Sequence, residues 1–223
     1  MVQLMRVIPL NYIKSFMLLD LLNLLYPKIC LSCEDILLQN EKHICLTCLD
    51  NLPFTKQCFQ EDNDAYQKFY GRISIEHASC LLFFKRGTNT QNLFHNLKYH
   101  NHPEISYFLG KIFTEELKNT NLLDSITSIV PVPIHRIKKK KRGYNQVDGF
   151  ADALSEVFNI EIEKELLLKT TKTRSKASQS LFERLKKQKE DIVLNTQIIP
   201  RENNHFLLID DILTTGSTLE KCT

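Results

Sequence analysis

The residues best suited to chemistry lie near the end of the chain, in Phe206-Leu-Leu-Ile-Asp-Asp-Ile-Leu-Thr-Thr-Gly-Ser-Thr218. Phe206 to Ile209 form a short apolar run, the pattern of a strand covered on both faces in a parallel sheet. Asp210 and Asp211 then stand at the carboxyl end of that strand, where open α/β sheets place their ligands. Thr214, Thr215, Gly216, Ser217 and Thr218 follow as a small, hydroxyl-rich turn. Gly216 supplies backbone freedom, and Ser217 or Thr218 is placed to open a helix. Amide groups pointing out of such a turn, aided by the helix dipole, make an anion site. The carboxylates suit ribose hydroxyls, which donate hydrogen bonds, or a Mg²⁺ ion. A phosphorylated ribose meets both halves of this arrangement. A Walker-type P-loop does not, because the Gly-x4-Gly-Lys-Ser/Thr pattern and its phosphate lysine are absent.

Four cysteines form a second group. Cys30-x2-Cys33 and Cys45-x2-Cys48 are two close pairs separated by eleven residues. Each pair can form a knuckle, and four thiolates can then converge on one tetrahedral Zn²⁺, a structural site. Disulfides are the competing reading, disfavoured by the expected cytoplasmic setting. His43, between the pairs, reads as a surface residue rather than a ligand. Cys58, Cys80 and Cys222 have no partner at ligand spacing; Cys80 reads as a buried strand residue, and Cys58 as a relic of a further knuckle or a plain core thiol.

The third group is Val130-Pro-Val-Pro133 followed by His135-Arg-Ile-Lys-Lys-Lys-Lys-Arg-Gly-Tyr-Asn-Gln146. It reads as a basic loop leaving the carboxyl end of a strand, able to hold a pyrophosphate through Arg142, Gly143, Tyr144 and Asn145. Gly143 lets the backbone approach an anion and Asn145 can cap the next helix. Lys138 to Lys141 read equally well as a solvated charge run.

The elements that must position these groups follow from periodicity. Ile73 to Phe84 reads as a strand, Asn89 to Tyr99 as a helix, and Glu104 to Lys118 as an amphipathic helix with apolar residues at 3.6-residue spacing. Ile126 to Val132 is a β-branched strand stopped by Pro131 and Pro133. Val147, Phe150, Ala151, Leu154, Val157 and Phe158 repeat at helical spacing. From residue 104 the expected order is helix, strand, loop, helix, short strand, helix, strand, which implies an α/β fold with a parallel sheet and helical crossovers. The expected divisions are an amphipathic amino-terminal segment (1–26), a zinc-knuckle module (27–60), a connecting strand and helix (61–103) and the α/β domain (104–223).

The Asp-Asp-x-x-Thr-Thr-Gly-Ser-Thr pattern after an apolar strand resembles the motif by which type I phosphoribosyltransferases bind 5-phosphoribosyl 1-pyrophosphate (PRPP). Together with the cysteine pairs, Leu97-Lys-Tyr99 and the Pro-Val-Pro to Arg-Gly-Tyr-Asn-Gln segment, it makes the chain similar to the ComF family of competence-associated proteins over nearly its whole length. The resemblance implies a type I phosphoribosyltransferase-like core behind a small zinc-binding module. It also implies PRPP with Mg²⁺ as ligand, a glycosyltransferase-type transfer of the pentosyl group, and an association with DNA uptake in natural transformation. Asp210 and Asp211 would carry the catalytic role, positioning the ribosyl centre as pyrophosphate leaves. The alternative is a non-catalytic module that binds single-stranded DNA and a competence helicase or recombination mediator. In that reading Lys138 to Arg142 attract phosphates and Tyr144 stacks on a base. Purine-salvage relatives usually carry a carboxylate where Thr214 stands, so base-assisted purine transfer is not expected. The stretch Thr170 to Arg184 corresponds to the loop that closes over PRPP.

Composition agrees with a soluble globular protein: 223 residues, 43% hydrophobic and 25% charged, with a formal net charge of +3 that does not by itself imply nucleic acid. Val7 to Tyr26 is apolar, but Asn11, Lys14, Asp20 and Asn23 interrupt it, so no membrane insertion is expected. No signal-peptide cleavage pattern follows it. Met17 is a second candidate initiator. Only Leu219 to Thr223 remain of the helix after the carboxyl-terminal turn, and the domain is expected to be incomplete there.

Overall fold

The computed structural model describes residues 25–171, 190–198 and 204–223. Its contacts divide the chain into two units, Met1–Leu52 and Pro53–Thr223.

In the first unit an isolated antiparallel bridge between Ile29 and Ile36 brackets the first cysteine pair. The turn between them is closed by Cys30 N donating to the Asp35 carbonyl at 2.7 Å and Glu34 N donating to the Cys30 carbonyl at 2.9 Å. The second pair opens a short helix, α1 (Leu46–Asp50), whose amino end is capped by the Cys45 sulfur accepting from Cys48 N. Among the described residues few apolar side chains are buried here, chiefly Leu31, Ile44 and Leu52, while Ile29, Ile36, Leu38 and Leu46 face solvent.

The second unit is built on a three-stranded parallel sheet. β1 (Ser128–Pro131) lies between β2 (Glu161–Ile162) and β5 (Phe206–Ile209). Register sets Ser128 beside Phe206 and Pro131 beside Ile209, so β1 and β5 end together at one sheet edge. β3 (Leu167–Thr171) and β4 (Glu190–Leu194) form an antiparallel pair. The two-residue alternation of a strand explains how one short apolar run serves both faces. Ile129, Leu207 and Ile209 join the cluster of Phe113, Leu117, Val147, Ala151 and Leu154 on one side. Val130 and Leu208 join Leu166, Leu167 and Ile192 on the other. Each such aliphatic side chain, fully buried, contributes about 1.5–3 kcal/mol relative to exposure.

Helices α3 (Asn89–Tyr99), α4 (Glu104–Leu117) and α6 (Asp148–Phe158) follow the apolar periodicity of their sequences. α4 and α6 cross closely because small residues meet at their contact. A Cβ on Gly110 would lie 2.8 Å from the Ala153 Cβ, and one on Gly149 would lie 2.8 Å from Tyr107 N. The Ser106 hydroxyl accepts from Phe150 N at 2.9 Å in the same crossing.

Two expected elements differ. Residues Ile73 to Phe84 form no strand; they pair only through the Phe54–Leu82 bridge. Side chains supply the missing partners there, with Gln57 Oε1 accepting from Cys80 N at 3.0 Å and Asn63 Nδ2 donating to the Ala78 carbonyl at 2.9 Å. Cys80 is accordingly half-buried in irregular chain, not in a strand. The basic loop contains a helix, α5 (Arg136–Arg142), because Lys and Arg are good helix formers and their charges suit its carboxyl end. His135 caps it, with Nδ1 accepting from Ile137 N at 3.3 Å, and Gly143 ends it at φ 90°. Between β4 and the end of the chain only β5 and α7 (Ser217–Glu220) are helix or strand among the described residues. The amino-terminal segment, up to residue 24, and the part of Thr170 to Arg184 beyond Thr171 lie outside the described residues. No helix among the described residues is long and apolar enough to cross a membrane.

Candidate functional site

Asp210 and Asp211 leave the carboxyl end of β5 side by side, and Asp211 N donates to Asp210 Oδ1 at 2.8 Å. The bend after them turns at Gly216, whose φ of 80° is left-handed, and α7 begins at Ser217. Asp210, Thr214, Gly216, Ser217 and Thr218 line one shallow hollow open to solvent, with Ile212, Leu213 and Leu219. The hydroxyl-rich turn and the first carboxylate therefore share one space.

Glycine at 216 is dictated twice, by the backbone angle and by a neighbour, since a Cβ there would sit 2.7 Å from the Phe69 ring. Behind the bend, Arg72 donates to the Thr215 carbonyl at 2.8 Å and to the Lys68 carbonyl at 3.0 Å, and its guanidinium pairs with Glu220. Residues of the turn after α2 (Asp64–Gln67) thus brace the bend.

Asp211 is the point where the separated sequence motifs meet. Lys98, from the end of α3, places Nζ 2.6 Å from Asp211 Oδ2, and both side chains are about 20% exposed. Gln146 Nε2 donates to the same oxygen at 3.3 Å. The Tyr144 hydroxyl donates to the Leu97 carbonyl, and Asn145 Nδ2 donates to the Val132 carbonyl at 2.9 Å. Leu97-Lys-Tyr99, Pro-Val-Pro and Arg-Gly-Tyr-Asn-Gln are thereby tied to one another and to the acidic pair. Burial, and then the neighbouring Asp211 charge, push the Asp210 carboxyl above the usual carboxylate range.

In the loop expected to hold pyrophosphate, several side chains are engaged within the fold. Tyr144 is partly buried and engaged through its hydroxyl, and burial raises its pKa. Asn145 uses its side chain on Val132 rather than as a helix cap, and α6 has no side-chain cap. Arg142 closes α5 and lies 6.0 Å above the ring of Tyr99, which is 69% exposed. Lys98, Gln146 and Tyr99 were not singled out from sequence as site residues. Their signal was present in the motif segments that contain them, but only the fold brings those segments to Asp211.

The four paired cysteines converge in the first unit. Their sulfurs all lie within 4.8 Å of one another, and Cys33 and Cys45 are 3.8 Å apart. That separation equals the edge, about 3.8 Å, of a tetrahedron with 2.3 Å Zn–S bonds. The set can hold a metal ion such as zinc, and His43 is not among its donors. Cys45 N donates to the Cys30 sulfur at 3.3 Å. Burial pushes the Cys30 thiol up, but backbone amides including those of Cys33 and Cys45 outweigh it and bring it down to about 7. Cys58 stands apart in the second unit's core against Glu116, where burial pushes it up to about 11.

The chain is 30% identical over 131 residues to the DNA utilization protein YhgH of Escherichia coli K12, an alignment covering 57% of this chain and 56% of that protein. It is 26% identical over 132 residues to competence protein F of Haemophilus influenzae, covering 58% of each. With competence protein ComFC of Streptococcus pneumoniae it shares 29% identity over 115 residues, 52% of this chain and 48% of that one. The chain thus spans about half the length of the curated relatives it matches. No family model matches it. No solved structure matches it significantly.

Proposed function

We propose that the chain, similar to these DNA utilization and competence proteins, is of the ComF family and binds PRPP with Mg²⁺, or a related ribose phosphate, in a phosphoribosyltransferase-like site that serves DNA uptake. The observation that carries this reading is the shared hollow: Asp210, the first of an acidic pair at the end of a parallel strand, lines it together with the hydroxyl-rich bend. The 5′-phosphate would lie on the bend from Thr214 to Thr218, and the ribose hydroxyls would donate to Asp210 and Asp211. Arg142 and the backbone from Gly143 to Asn145 would face the pyrophosphate. Mg²⁺ would neutralise the pyrophosphate and so ease its departure. The chain's own part in a transfer would be to orient the ribose and stabilise positive charge at its C1 through the two carboxylates. A structural zinc ion on Cys30, Cys33, Cys45 and Cys48 would hold the first unit together.

One observation favours a second reading, the binding of single-stranded DNA. Arg136, Lys138 to Lys141 and Arg142 crowd one exposed seven-residue helix, and Arg142 stacks against the exposed ring of Tyr99. Tyr144 is engaged elsewhere, so Tyr99 is the ring for a base to stack upon.

Calorimetric titration of the zinc-loaded chain with PRPP and Mg²⁺, and separately with an oligonucleotide at two salt concentrations, tests both. PRPP heat that disappears in Asp210→Asn with Asp211→Asn supports the ribose-phosphate site, and no heat in the folded wild type refutes it. Oligonucleotide affinity that falls steeply with salt and is lost in Tyr99→Ala supports the second reading; affinity indifferent to Tyr99 refutes it.

A further inference from the structure

Two features of the acidic pair are left over by the ribose-phosphate reading. Lys98 holds Asp211 at 2.6 Å, supplying a positive charge at the place where a hydroxyl or a metal-bearing ligand would have to approach. Gln146 is 6% exposed, and while its Nε2 donates to Asp211, its buried Oε1 has no hydrogen-bond partner among the described residues. A buried acceptor without a donor is costly, by about 1–3 kcal/mol, and is uncommon in a folded protein. Here it lies on an amide fixed against a carboxylate pair.

We propose that Lys98 is the resident counter-ion of this site, exchanged for the ligand's own cation on binding, and that Gln146 Oε1 is an acceptor completed by the ligand. This rests on the reading of the acidic pair as a ribose-phosphate and Mg²⁺ site. Two adjacent carboxylates, with Asp210 pushed upward by burial and by its neighbour, are poorly stable without a cation. Lys98 supplies that charge at the end of α3, on a segment linked through the Leu97 carbonyl to Tyr144 and so to the loop after α5. A cation arriving with the ligand removes the need for the ion pair. The released ammonium is then free to meet the ligand's phosphate groups. A sugar phosphate arriving without a metal brings no cation to replace the ammonium at the carboxylates, so the arrangement favours the metal-loaded ligand over the free one. Gln146 adds direction, because its Oε1 accepts only from a donor such as a ribose hydroxyl or a metal-bound water.

The test uses the zinc-loaded full chain and Mn²⁺ alone as probe, with free Mn²⁺ counted by electron paramagnetic resonance. Lys98→Met is expected to tighten Mn²⁺ binding at least tenfold, and adding Asp211→Asn is expected to abolish the gain. Lys98→Arg, which keeps the charge, is expected to remain within about twofold of wild type. Gln146→Met is expected to weaken PRPP binding in the presence of Mg²⁺ about tenfold. Unchanged Mn²⁺ affinity in a folded Lys98→Met variant overturns the counter-ion assignment, and unchanged PRPP affinity in Gln146→Met overturns that of the acceptor. If the wild type binds no PRPP while Lys98→Met still gains Mn²⁺ affinity, the ribose-phosphate reading falls and the counter-ion assignment stands.

Discussion

At the scale of single residues, the ligand role proposed for Asp210 and the stability of the fold oppose each other. Its carboxyl is raised by burial first and by Asp211 second, and the hydrogen bond from Asp211 N only partly offsets them. A carboxyl whose folded pKa exceeds its unfolded one disfavours folding when ionised. That cost is absent below the unfolded pKa, where both states are protonated, and is complete once pH passes the folded pKa. Asp210→Asn preserves the oxygen that accepts from Asp211 N and removes the charge. The variant is expected to melt about 2–4 °C higher near neutral pH, the displacement that about 1 kcal/mol produces in a domain of this size. The gain should shrink as pH falls through the carboxylate range, and PRPP binding should be lost at neutral pH. Melting curves at a series of pH values check this; a gain independent of pH would show that the charge is not its source.

The bend shows how an element is made by its neighbours. Gly216 combines a φ of 80° with a Phe69 ring that leaves no room for a Cβ. Gly216→Ala should therefore cost about 1–3 kcal/mol. Phe69→Leu, costly by itself because Phe69 is 2% exposed, should cost less in the Gly216→Ala background, since it makes room for the new methyl. Urea denaturation of the double-mutant cycle measures that coupling, and strictly additive losses would contradict it. This neighbour is the part of the site that local sequence does not contain. β1, β5 and helices α3, α4 and α6 were legible because their apolar residues repeat at the strand or helix period. α5 was not, because a run of Lys and Arg exposed on every side has no apolar face to mark a period. The Ile73 to Phe84 run misled in the opposite sense: its composition suits a strand, but the Cys80 amide is met by the Gln57 side chain and the Ala78 carbonyl by that of Asn63. The two aspartates and the bend could be recognised as a contiguous pattern. Lys98 and Gln146 could not be assigned to them, since pairing across distant segments depends on how α3 and the loop after α5 pack.

For the whole molecule, the two units differ in what can hold them together. The second has a contiguous core around Ile129, Leu154 and Ile209, with a further cluster around Val130 and Leu166 on the sheet's other face. Among its described residues the first buries Leu31, Ile44 and Leu52 but exposes Ile29, Ile36, Leu38 and Leu46, too little apolar burial for residues 25–52 to fold on that alone. Among the described residues, the four converging thiols, which can hold a metal ion, are the further source of stability. Structural zinc supplies about 10–16 kcal/mol in comparable peptides, all of it coupled to folding. Removing the metal with a chelator is therefore expected to abolish hydrogen-exchange protection between residues 28 and 52. Protection in β1, β5, α4 and α6 should persist, with PRPP affinity changed by less than about twofold. Restoring Zn²⁺ should restore protection in the wild type but not in Cys33→Ser with Cys45→Ser. Loss of protection in both units together would mean that the sheet depends on the metal module for its own folding, and the separation of a metal-held unit from a core-held unit would have to be abandoned.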